Sequence, residues 1–279
     1  FNGSEYLVTN AASEVYSPYA LNFDGSNDYI DLGTDSSLDI FGSDYSVSLW
    51  FNTTDTGTAD GLFEIASFAN KFSISKGNAV NNIGFVKNGI WFYNIGTGLN
   101  DGNWHNITVV SLSSTVTVYI DNVPYTSFST GTYAQGTSNS IGRGHNNLKY
   151  FNGSISNVSI WNAALTSTQI TELYGNAAPT NLNNHSAYSN LVSWWQLGEN
   201  MSYDGTKWTV IDEKGSNNGE GTNLGPAESA IVNGVGTSAN GLSDGMGGAD
   251  NIVGDAPYST ANAVSYGMGV DAKSSETPS

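Results

Sequence analysis

The residues of this chain whose types and spacing bear on chemistry are its carboxylates, its three histidines, and a few places where aromatic rings stand among amides. Retaining glycoside hydrolysis needs two carboxyl groups about 5 Å apart, most simply two acids at positions i and i+2 or i+4 of one strand face. Asp28 and Asp31 fall on opposite faces of a regular strand, and Asp212-Glu213 are adjacent in a turn. His105, His145 and His185 are scattered, and no serine stands in a G-x-S-x-G elbow. The expectation is a non-enzymatic protein with no catalytic residue to assign.

Binding chemistry is better supplied. Trp91, Tyr93 and Asn94 share one arm of a hairpin, and the stretch RGHNNLKY brings Arg143, His145, Asn146, Asn147 and Tyr150 together in eight residues. Aromatic faces stack on the apolar side of a pyranose while amides, imidazole and guanidinium hydrogen-bond its hydroxyls. Both stretches are therefore candidate carbohydrate contacts. His105, after Trp104 in D-G-x-W-H, reads as a packed or hydrogen-bonded imidazole rather than a catalytic one. Gly245 to Val253 nearly fits one unit of a calcium β-roll, but such rolls need several stacked repeats, so a single copy reads as a loop.

The elements that position these residues are strands. Trp104 to Leu112 and Thr115 to Ile120, rich in β-branched and aromatic residues, flank Ser113-Ser114 as a hairpin. Val116, Val118 and Ile120 alternate with Thr117 and Tyr119, as a half-buried strand requires. Further short strands are expected at Ala20 to Phe23, Tyr29 to Leu32, Ser46 to Phe51, Leu62 to Ser67, Lys71 to Ser75, Ile83 to Lys87, Ile90 to Tyr93, Tyr125 to Phe128, Ser138 to Ile141 and Ile155 to Trp161. Asn88-Gly89 is the strongest hairpin signal among them. One short helix follows, with Thr166 as N-cap, Gln169 as its capping-box partner, Leu165 and Ile170 as a hydrophobic staple, and Gly175 as its stop.

Composition limits the partners. The 279 residues carry 8 Lys plus Arg against 25 Asp plus Glu, for a formal charge of −17. Such a surface repels phosphate backbones and anionic membranes, so no nucleic acid is expected as a partner. No stretch approaches the roughly 20 apolar residues of a membrane helix, so no membrane insertion is expected either. With no cysteine, neither disulfides nor thiolate metal sites contribute. The chain opens at Phe1 without an initiating Met or an apolar leader, which suggests a processed product or a fragment.

The motifs ALNFDGSNDYIDLG, SVSLWF, DGNWHNITVV, VTVYIDNV and FNGSISNVSIWNAALTSTQITELYG, in that order over about residues 15 to 175, resemble the laminin-G-like jelly roll of the concanavalin A-like lectin/glucanase superfamily. The resemblance implies an all-β, two-sheet antiparallel jelly-roll sandwich with one short helix and an extended C-terminal segment. It also implies calcium (Ca2+) beside the FDG turn, with Asp24 as the candidate ligand and a carboxylate on the last strand, where this chain has Ser156. The organisation expected is an N-terminal arm (1–18), the jelly roll (19–175), a polar linker (176–190), an additional β segment (191–224) and a Gly/Ser-rich irregular tail (225–279). The segment LVSWWQLGENMSYDGTKWTVIDEKGSNNGEGTNL resembles the opening of the same family, so it either completes the first sandwich as a permuted strand or begins a truncated second unit.

Low Lys and Arg content, Asn-rich strands and the Gly-rich tail together resemble structural proteins of marine bacteriophages. That second resemblance implies a virion component, a capsid decoration or a fibre, found at the virion surface or extracellular. Its partners would be other copies or other structural proteins of an assembly, and glycans. The alternatives are a secreted or cell-surface carbohydrate-binding module, and a purely architectural subunit with no glycan ligand.

Overall fold

In the computed structural model, the residues described are 17–40, 42–56, 61–65, 72–76, 83–87, 90–129, 139–144, 149–225 and 230–235. The Asn88-Gly89 turn, the β-roll-like stretch at Gly245 and the arm before Ser17 lie outside them. Two antiparallel sheets face each other. The first runs β10 (Val123–Ser129), β9 (Thr115–Ile120), β8 (Trp104–Leu112), β3 (Tyr45–Asn52), β14 (Asn152–Trp161), β1 (Tyr19–Asp24) and β19 (Ile231–Asn233), with β15 (Leu191–Trp195) also paired to β14. The second runs β16 (Met201–Tyr203), β17 (Trp208–Val210), β18 (Gly219–Thr222), β2 (Tyr29–Asp31), β11 (Ser140–Ile141), β4 (Gly61–Ile65), β5 (Phe72–Lys76), β6 (Ile83–Lys87) and β7 (Ile90–Ile95). The short β12 (Arg143–Gly144) and β13 (Lys149–Tyr150) pair with each other beside β4.

Alternation builds the core between the sheets. Val47, Leu49 and Phe51 of β3 and Val116 and Val118 of β9 meet Ile30, Ile74 and Ile141 from the facing sheet, all buried. Both hairpin turns of the first sheet put two residues at positive φ, Ser113 and Ser114 (49° and 66°) and Asp121 and Asn122 (49° and 65°). Such paired positive angles give the tight turn whose twist matches the strands. Ser113 is no natural occupant, and its amide donates to Asp44 Oδ1 at 2.8 Å, which holds the turn in place.

The alternation of β3 predicts one solvated face, yet Ser46, Ser48 and Trp50 are as buried as its core side. A second layer covers them. It consists of α1 (Ser167–Tyr174), two 3-10 turns (Leu182–Asn184 and Tyr188–Asn190) and the outer side of β15. Thr166 and Gln169 form the reciprocal capping box, and Gly175 closes α1 at φ 55°. Residues 176–190 are therefore not a linker. Asn181 caps the first turn, Leu182 and Ala187 pack on Trp161, and the buried His185 bonds Gln169 O (2.9 Å) and the Ala187 amide (3.1 Å).

Residues 191–224 join both sheets. On β15, Trp195 enters the inter-sheet core and its neighbour Trp194 the second layer, because successive side chains of a strand point oppositely. The turn that spaces Asp212, Gly215 and Gly219 as D-x-x-G-x-x-x-G works through one carboxylate. Asp212 Oδ1 accepts from the amides of Trp194, Lys214 and Gly215, and Oδ2 accepts from that of Asn217. The tail expected to be irregular holds β19 instead, which pairs with β1 in register from Tyr19↔Asn233 to Leu21↔Ile231. An apolar Ile-Val pair beside an open strand edge is sufficient reason for a strand to form there.

Candidate functional site

The outer side of the second sheet carries the arrangement with most chemical potential. Ile30 of β2 points into the core, so its neighbours Tyr29 and Asp31 lie on the outer side. After β11 the chain turns at Gly142 (φ +79°), whose amide donates to Leu62 O (3.0 Å) and whose carbonyl accepts from the Phe151 amide (2.9 Å). A Cβ at position 142 would stand 2.4 Å from the Phe23 ring, so only glycine fits. The turn delivers Arg143 above Tyr29, with its guanidinium carbon 3.5 Å from the ring centroid. β13 returns antiparallel with Tyr150 directly opposite Arg143, and the Tyr29 and Tyr150 rings lie 6.4 Å apart, tilted by 45°. Both tyrosines are half-buried.

Arg143 is only 7% exposed, and its Nε has no hydrogen-bond partner. Among the described side chains no carboxylate pairs with it, and Asp28, Asp31 and Glu220 are otherwise engaged. Asp28 Oδ2 accepts from the Asp24 amide (3.0 Å), Asp31 Oδ1 from the Gly33 amide (2.8 Å), and Glu220 from Lys207 Nζ (2.5 Å). Burial pushes the Asp28 carboxyl above the usual carboxylate range, against the Asp24 amide that lowers it. Taking an ion out of water costs several kcal/mol, and a desolvated cation over an aromatic face returns only about 2. Within a chain of net charge −17, Arg143 is thus a buried cation lacking the partner that burial ordinarily requires.

The sequence candidates divide. Arg143 and Tyr150 come together as described. His145, Asn146 and Asn147 lie outside the described residues. Trp91, Tyr93 and Asn94 sit on β7, four strands from β11, or roughly 19 Å at about 4.8 Å per strand. The register does place Trp91 in the same cross-strand row as Val86, Ser73, Glu64, Ser140, Asp31 and Glu220. Tyr29 was missed by sequence reasoning. Its signal was present, since alternation with Ile30 turns it outward, but nothing local announces that Arg143 will cover it.

At the FDG turn, the side chains named for calcium have partners within the chain. Asp24 Oδ1 is engaged by the amides of Ser26 (2.7 Å) and Asn27 (3.3 Å), an ordinary Asx turn. Asp24 pairs with Asn152, four residues from Ser156, whose hydroxyl donates to Tyr19 O and Gln196 O instead. No three His, Cys, Asp or Glu side chains gather among the described residues.

His105 is held from both sides. Its Nδ1 lies 2.8 Å from Asp121 Oδ2 and its Nε2 3.2 Å from Asp101 Oδ1. The Asp121 bond, offset by burial and helped by both carboxylate charges, raises the imidazole above its ordinary 6.5. This grips the end of the β8–β9 hairpin and exposes no reactive nitrogen.

Two antiparallel sheets packed face to face, with one short helix, define a jelly-roll sandwich. Residues 24–171, just over half of the chain, match the laminin G-type family model of the Concanavalin A-like lectin/glucanases superfamily, and the chain belongs to that family. Among solved structures it is similar to a candidate carbohydrate binding protein from Bacteroides ovatus (TM-score 0.59, 16% identity, 77% of this chain and 60% of that one). This chain therefore spans about three fifths of the length of that protein. Looser likenesses are the CBM40 of the Ruminococcus gnavus IT-sialidase (0.46, 9%, 56% and 96%) and the heptameric SAP-like pentraxin of Limulus polyphemus (0.46, 13%, 79% and 97%). No curated protein matches the sequence.

Proposed function

We propose that this chain is a non-enzymatic, glycan-binding jelly roll displayed on a surface assembly, in its fullest form a virion component such as a capsid decoration or a fibre. The observation that carries the binding half is the convergence of Tyr29, Arg143 and Tyr150, from three separate strands, on the outer side of the second sheet. Rings stack on pyranose faces and the guanidinium supplies donors to hydroxyls. The assembly half is supported by β10, which among the described residues pairs with β9 alone. It exposes Val123 (63%) and Tyr125 (49%), and apolar side chains on an open strand edge suit pairing with another subunit. Copies arrayed by that edge, on a virion surface or elsewhere outside the cell, would hold weak glycan contacts by avidity.

Two measurements test the reading. A glycan array probed with the full chain should give binding that Tyr150→Ala weakens about tenfold or more, the loss of about 1.4 kcal/mol. An array on which no glycan binds removes the lectin reading and leaves an architectural subunit. Light scattering on material from the native source should show an assembly. A monomer that still binds glycan would make this a secreted or cell-surface carbohydrate-binding module.

A further inference from the structure

We infer that the Arg143 site selects acidic saccharides: sugars carrying an oxyanion, a carboxylate or a sulfate ester, which the guanidinium grips while the Tyr29 and Tyr150 rings hold the pyranose. The inference rests on the glycan-binding reading above and names its substrate class.

Four observations lead to it. Arg143 is more than nine-tenths buried, its Nε is unpaired, and no carboxylate of the described chain bonds it. The chain holds three times as many acids as cations, 25 against 8, so pairing Arg143 with one of its own acids would have been easy. Of the nearby acids whose side chains are described, Asp28 and Asp31 are instead committed to backbone amides and Glu220 to Lys207. Finally, the site is deliberately shaped, since Gly142 alone allows the turn that sets the guanidinium on Tyr29.

A planar fork with free donors matches a carboxylate or sulfate in a way that a hydroxyl does not, because two parallel charge-assisted bonds form at once. The rest of the surface works against free anions. A net charge of −17 repels them at long range, so an oxyanion that binds must be carried on something the rings also hold. A sugar ring meets that need, and a bare phosphate or sulfate ion does not.

The test is an array of neutral, uronate-bearing, sialylated and sulfated glycans, each acid beside its methyl ester or desulfated counterpart, probed with the full chain and with Arg143→Met. Expected are hits confined to acidic glycans, at least about tenfold weaker for the uncharged counterpart, with that discrimination lost in Arg143→Met while its melting temperature holds. Should Arg143→Met fail to fold, Arg143→Lys reads the same discrimination, since it keeps the charge and loses the fork. Preference for carboxylate over sulfate, or the reverse, separates the two sources of the oxyanion. Hits among neutral glycans only, or acidic hits indifferent to both variants, overturn this inference and leave the lectin reading standing. No hit at all removes both.

Discussion

The two outer faces of the sandwich are finished differently. On the first sheet, a second layer covers the outer side, and polar groups buried beneath it find partners within the chain. Ser48 Oγ and Thr108 Oγ1 share a bond (2.9 Å), Asn106 Nδ2 donates to Leu49 O (3.1 Å), Trp194 Nε1 donates to Asn157 Oδ1 (3.2 Å), and both nitrogens of His185 are engaged. The second sheet instead leaves a buried guanidinium with one aromatic face and no hydrogen bond at Nε. Both faces bury polar side chains, so burial alone does not mark a site. What separates them is whether the buried groups are satisfied, since unsatisfied ones are costly and ask for an explanation.

The sharpest test of that contrast is a pair of truncations. Trp194→Ala empties the second layer between Trp161 and Leu191 and strands Asn157 Oδ1, so denaturant unfolding should show a loss of about 3–5 kcal/mol. Arg143→Met removes a charge that no described acid compensates, and the same measurement should show at most about 1 kcal/mol either way. If the arginine costs as much as the tryptophan, it is a structural plug and the comparison collapses.

Gly142→Ala should fall between the two. It forces an L-residue to φ +79° and drives a methyl group into the Phe23 ring, for about 2–4 kcal/mol in all. Because Arg143 follows directly, glycan binding should fall with stability, whereas Trp194→Ala should leave binding by the folded fraction unchanged. A Gly142→Ala protein of undiminished stability would show that the turn is not what holds Arg143 in place.

Thr166→Ala touches only the closed face. It removes the hydroxyl that caps α1 at the Gln169 amide (3.3 Å), and thermal unfolding should register about 1 kcal/mol. Binding at Arg143, on the opposite sheet, should not change, and a change would mean that the two faces communicate.

How much of this the sequence showed follows from how local each determinant is. The capping box lies within four residues, and the β8–β9 hairpin within seventeen, so both could be read directly. The burial of Ser46, Ser48 and Trp50 could not, because the layer that covers them is drawn from residues 165–194, far along the chain. The stretch 176–190 looks like a linker because its amides and serines suit turns, but its sparse Leu182 and Ala187 suffice once Trp161 offers a surface. At the candidate site, Arg143 and Tyr150 stood out as types within one short stretch. Their partner Tyr29 is supplied by strand order, with β2 lying beside β11, and pairings so distant leave no local trace.

The smallest effect belongs to His105, which stands outside the contrast and calibrates it, being an ionisable base whose carboxylates are in place. Asp121 and Asp101 favour the imidazolium in the folded chain, so its pKa lies above the unfolded value near 6.5. A raised pKa contributes stability that is complete below the unfolded value and disappears as pH rises through the folded one. Asp101, held below its ordinary 3.8 chiefly by Asn103, contributes in the opposite sense, above its unfolded pKa, and loses that contribution as pH falls through the folded one. The cluster therefore supports the β8–β9 end most between about pH 4 and 6.5, and the wild-type melting temperature should fall on going from pH 6 to pH 8 relative to His105→Gln. Parallel profiles would mean that the imidazole titrates alike in the folded and unfolded chain, and that the two acids do not stabilise its charged form.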